Sequence, residues 1–121
     1  MGAVMATEDT KWYKWLAAQK ACKRGMAWLR KRQFGTPQEA WNACQNGPWM
    51  LGVLVAAGYT ASSDFTSCLR RFARIDKSMW LLRNAGYYAH NPAYWRARRL
   101  LESQAIRTVF PNAPEIGPKV A

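Results

Sequence analysis

The single histidine, His90, and the three cysteines, Cys22, Cys44 and Cys68, are the residues whose types could support metal binding or nucleophilic catalysis. A Cys3His zinc site needs ligands paired about two to four residues apart, so that one turn holds two of them. Here the successive intervals are 22, 24 and 22 residues, with no such pair. No metal is expected, and the cysteines read as small apolar core residues. A nucleophile also needs a base held beside it and a group to orient that base, and nothing around His90 supplies either. The carboxylates are spoken for locally. Glu8, Asp9, Glu39 and Asp64 suit helix starts, Glu102 stands one turn after Arg98, and only Asp76 has no local role. There is no glycine-rich phosphate loop. The expectation is a non-enzymatic protein with no cofactor and no small-molecule substrate.

What the residue types do offer is cations beside aromatic rings. Arg70, Arg74 and Lys77 recur at i, i+4, i+7, and Arg96, Arg99 and Arg107 follow on the next predicted helix. Tyr87, Tyr88 and His90 lie in the linker between them. Guanidinium and ammonium groups in such rows suit a phosphate backbone, and exposed rings suit stacking on bases. The segment from Arg70 to Arg107 holds eight Arg and one Lys against Asp76 and Glu102. Two helices joined by a short linker tend to pack antiparallel, which would place both basic rows on one surface.

The whole chain shares this bias. Its 121 residues carry 18 basic and 7 acidic side chains, a net of +11, beyond the magnitude of about 2–8 that solubility asks for. An acidic partner is implied: nucleic acid, or an acidic protein surface. Seven Trp and a half-apolar composition exclude a disordered chain. The uncharged stretch 40–63 is broken by Asn42, Gln45, Asn46, Gly47 and Pro48, leaving a run too short for the roughly 20 residues of a span. Trp12, Trp15 and Trp28 beside Lys11, Lys14, Lys23 and Arg24 have the composition of an interfacial membrane surface, the least favoured partner. Met1 to Lys11 shows no secretory signal, and Ala6 stands where a myristoylation motif wants Ser or Thr. A reduced intracellular setting, host cytoplasm or virion, is expected.

These groups must be positioned by helices, since the punctuation predicts about six short ones and no strand. Thr7 is the expected first cap. Ala21 to Arg32 puts Cys22, Met26 and Leu29 on one face. Thr36-Pro37-Gln38-Glu39 forms a capping box with Pro at the first helical position. Trp49 to Ala57, apolar nearly all round, should be the most buried helix. Phe65, Cys68, Leu69, Phe72, Ile75, Met79 and Leu82 form the strongest periodicity. Asn91-Pro92 starts the last helix, with Tyr94, Ala97, Leu101, Ala105 and Thr108 facing inward and Arg96, Arg99 and Arg107 outward. The reading is an all-α single-domain bundle over residues 1–109, with an irregular Pro-rich tail, 110–121.

Ala21-Cys22-Lys23-Arg24-Gly25-Met26-Ala27-Trp28-Leu29, then Ala40-Trp41-Asn42-Ala43-Cys44 and Trp49-Met50-Leu51, resembles a loose family of small helical phage and bacterial proteins of unassigned function. The likeness covers roughly residues 15–57, and Ile106 to Pro111 is similar to that family's ending. Residues 58–105 depart from it, being Arg-rich where the family continues into long Ala-rich helices. The resemblance implies a helical fold and a phage or bacterial origin, and brings no activity with it. Phosphate-directed binding of nucleic acid is therefore the leading expectation. A protein–protein module, as a host inhibitor or minor virion component, is the alternative.

Overall fold

Local capping chemistry takes hold at Thr10, whose hydroxyl accepts from the Tyr13 N–H and opens α1, Lys11–Ala18. The computed structural model describes residues 6–84 and 91–115. Thr7, the expected cap, instead begins a single 3-10 turn, Thr7–Asp9. Its buried hydroxyl donates to the Phe34 carbonyl 3.0 Å away. A buried carbonyl left unsatisfied costs about 1–3 kcal/mol, more than a solvent-facing cap recovers, so the long-range acceptor wins.

The second helix, α2, runs Lys23–Arg32. Cys22 is its N-cap residue and is exposed, so it does not share the buried face of Met26 and Leu29. Gln33 ends α2 in the left-handed region, at φ 56°. Its side chain accepts from the Thr7 N–H and donates to the Glu8 carboxylate, tying both ends of this unit together. Helix α3, Pro37–Ala43, starts on Thr36, which accepts from the Glu39 N–H. The Glu39 carboxylate closes the box one residue further back, on the Gly35 N–H. Asn46 caps α4, Gly47–Ala56, and a second 3-10 turn follows at Tyr59–Ala61. Helix α5 is Ser63–Asn84, and α6 is Pro92–Val109 with Asn91 as its cap. The protein is all-α; the described residues contain six α-helices and no strand.

The core divides in two. Trp12, Tyr13, Leu16, Met26, Leu29, Phe34 and Ala40 form an N-terminal cluster. Trp41, Cys44, Met50, Leu54, Phe65, Cys68 and Ile106 form a C-terminal one, and Trp28 and Val53 pack against both. Trp12 is buried, and Trp15 and Trp28 are half-buried against the N-terminal cluster, so these rings of α1 and α2 pack into the core.

Two expected faces are corrected. Met50 and Leu54 of α4 are buried, but Gly52, Val55 and Ala56 face solvent, because α4 is covered on one side only. In α6 the buried residues are Tyr94, Glu102, Ser103 and Ile106, whereas Ala97, Leu101 and Thr108 are exposed. Apolarity misread the register. A close crossing of α4 on α6 sets it: a methyl group on Gly47 would lie 2.7 Å from the Glu102 carbonyl carbon and 2.9 Å from the Ser103 nitrogen. Backbones this close leave room for Ser103 and the Glu102 stem, not for Leu101.

The stretch from Phe110 to Ala113 is tied to α3. Trp41 Nε1 donates to the Phe110 carbonyl at 2.8 Å, Gln38 Nε2 to the Pro111 carbonyl, and the Ala113 N–H to Gln38 Oε1. Pro114 is buried.

Candidate binding surface

On α5, Phe65, Cys68 and Met79 are buried and Asp76 reaches across to α6, where Arg98 holds it at 2.7 Å. One residue advances a helix by about 100°, which puts Arg70, Arg74 and Lys77 about 100–160° round from Asp76. They are exposed, and no ion pair or hydrogen bond holds them among the described residues. No carboxylate shares their stripe, which continues from Ser63 and Thr66 to Leu81. Three cations thus stand over about 10 Å of helix with no neutralising partner among the described residues.

The row on α6 behaves differently. Arg96 is exposed and Arg99 half-buried, and neither has a described partner. Arg107, expected to face outward, turns in. Its guanidinium donates to the carbonyls of Trp41, at 3.2 Å, and of Cys44, and lies 3.9 Å from the Met50 sulfur. It satisfies the carbonyls that the end of α3 leaves open, a structural task. Arg96, Arg99 and Arg107 lie about 100–180° round α6 from Arg98, so the two rows are not joined through the α5–α6 contact. Tyr87, Tyr88 and His90 lie outside the described residues.

Glu102 does not pair with Arg98, which is taken by Asp76 in the sole ion pair among the described residues. It is buried instead, and desolvation pushes its carboxyl pKa up, against the pull of Arg98. Arg98 also lies over the Trp95 ring, 5.5 Å from its centroid.

Two N-terminal cations are engaged as well. Arg30 donates to the Tyr13 hydroxyl at 2.7 Å, and Arg32 lies over the rings of Trp28 and Phe34. Sequence reasoning missed Trp80 and Leu81, which are 55% and 61% exposed beside the α5 stripe. The signal was present: with Met79 pointing inward, the next two positions lie about 100° and 200° away.

All three cysteines are free thiols, and the described residues gather no group of three or more His, Cys, Asp or Glu suited to a metal. No described helix is long and apolar enough to cross a membrane. No protein-family model, no curated protein and no solved structure matches this chain.

Proposed function

We propose that the protein binds nucleic acid without catalysis, through phosphate contacts made first by Arg70, Arg74 and Lys77 and then by Arg96 and Arg99. The observation that carries this reading is the α5 stripe: three exposed cations, none paired among the described residues, with no carboxylate on their face of the helix. Their span of about 10 Å matches roughly three phosphate-to-phosphate steps of one strand, each about 3.4 Å along a duplex axis. No base-reading arrangement accompanies them, so affinity is sequence-independent. Arg107 leaves the proposed contact set because its guanidinium is turned in on the end of α3.

The test is affinity for random duplex and single strands as a function of salt. Log K falls steeply with log salt in the parent protein, and R70A/R74A/K77A shallows the slope by about 0.9 per lost contact. A slope near zero, or a triple variant that binds like the parent, ends the proposal.

The exposure of Trp80 and Leu81 beside that stripe supports a second reading, in which the partner is an acidic protein surface. Capture of one stoichiometric protein after nuclease treatment, lost in W80S/L81S, would favour it.

A further inference from the structure

Most of the indoles in this chain are put to use inside it. Trp12 and Trp41 are buried, and Trp15, Trp28 and Trp49 are half-buried against the two core clusters. Trp95, 38% exposed, packs edge-on to Tyr94 and lies under Arg98. Trp80 is the exception, at 55% exposed. An indole offers more apolar surface than any other side chain, so leaving over half of one in water forgoes burial that most of the others obtain.

Trp80 stands three residues after Lys77 on α5, about 4.5 Å further along the axis and about 60° round it. Leu81, 61% exposed, prolongs the row of Arg70, Arg74 and Lys77 itself. The exposed row thus passes from three cations into an apolar, aromatic end.

The spacing of the cations suits a single strand as well as a duplex, because a flexible strand adapts to it. The apolar end does not suit both. A duplex turns phosphates and sugars outward and keeps the faces of its bases stacked inside. Trp80 and Leu81 laid against it would strip water from phosphate charge with no compensating contact. A single strand carries bases whose faces are open, and an indole beside a row of phosphate contacts is a platform for any of them.

We infer that the polymer held at α5 is single-stranded, with its phosphates on Arg70, Arg74 and Lys77 and an unpaired base stacked on the Trp80 indole. This rests on the phosphate-directed reading above and narrows it to one form of nucleic acid.

Three probes separate the two claims: an oligothymidylate of about 12 nucleotides, an abasic strand of the same length, and a duplex of the same length. Each is titrated with the full chain at fixed low salt and again across a salt series. The oligothymidylate should bind about 5-fold to 150-fold more tightly than the abasic strand, the contribution of one stacked base, and more tightly than the duplex. Trp80→Ala should bring it down to the abasic level while leaving the abasic and duplex affinities as they were. Trp80→Phe, which keeps a ring, should retain most of the preference. Equal affinity for the base-bearing and abasic strands on a steep salt slope would overturn the inference and leave the phosphate reading standing. Tighter binding of the duplex would do the same. A slope near zero, or no binding, ends both. A Trp80→Ala protein that holds the oligothymidylate like the parent also overturns the inference, and leaves Trp80 to a protein partner.

Discussion

The N-terminal unit, from the Thr7 turn through α2, and the α5–α6 hairpin are both rich in cations, but they are closed in different ways. In the first, long-range polar bonds close the unit: Thr7 to Phe34, Gln33 to Thr7 and Glu8, and Arg30 to the Tyr13 hydroxyl. Arg32 lies on aromatic faces. The hairpin is joined by apolar contacts and one ion pair, Asp76–Arg98, and Arg70, Arg74, Lys77, Arg96 and Arg99 have no partner among the described residues. The lesson is that a row of Arg in a sequence counts potential donors. Whether they are available depends on which carbonyls, hydroxyls and rings the fold brings near them. Arg107 and Arg74 look alike in sequence, yet one is an internal clamp and the other a free charge.

That contrast breaks most easily at its steric foundation. Gly47→Ala should cost about 3 kcal/mol or more in denaturant unfolding, because the new methyl would press on the α6 backbone at Glu102 and Ser103. Gly25→Ala, whose methyl would meet only the Trp49 ring at 3.4 Å, should be tolerated. Equal losses would mean that α4 and α6 do not cross as closely as described.

The next largest effect separates the two kinds of arginine. Arg107→Ala should destabilise by about 2 kcal/mol, since it leaves the carbonyls at the end of α3 without a donor. Arg74→Ala should stay within about 0.5 kcal/mol, the usual range for an exposed site. Salt titration should invert the order, with Arg74→Ala reducing the slope and Arg107→Ala leaving it alone. If both variants lose stability alike, the division into clamp and free charge fails.

A smaller effect concerns the buried carboxyl on the same helix. The folded pKa of Glu102 is raised above its unfolded value by burial, so its ionised form disfavours the native state. The contribution is fully present below the unfolded pKa and is lost as pH rises through the folded one. Glu102→Gln should therefore raise the melting temperature at pH 7, with the gain vanishing below about pH 4, the ordinary carboxyl range. A gain that persists unchanged at low pH would show that packing, not charge, is responsible. Smallest of all, Thr36→Ala should cost about 1 kcal/mol by removing the acceptor for the Glu39 N–H.

Much of the helical framework was legible because it is local. Thr36-Pro37, Asn91-Pro92 and Ser62 act as helix starts, and Phe65, Cys68 and Met79 line the inner face of α5. What the residues did not announce is tertiary. Thr7 could have capped a helix, and only the nearness of Phe34 diverts it. The buried face of α6 defied its apolar pattern because Gly47 lets α4 approach over Ser103. Of the candidate surface, Arg70, Arg74, Lys77 and Arg96 could be placed from spacing alone, while Arg107 could not, because its partners lie on another helix.

The bonds from Arg107 to Trp41 and Cys44 join positions 66 and 63 residues apart, and the Ala113–Gln38 bond joins positions 75 apart. During synthesis, then, α3 emerges with its last carbonyls open and stays so until Arg107 has also been made. Such distant closures slow folding, since the loop entropy must be lost before the contacts form. A chain stalled before Arg107 therefore presents an unfinished third helix to chaperones and proteases.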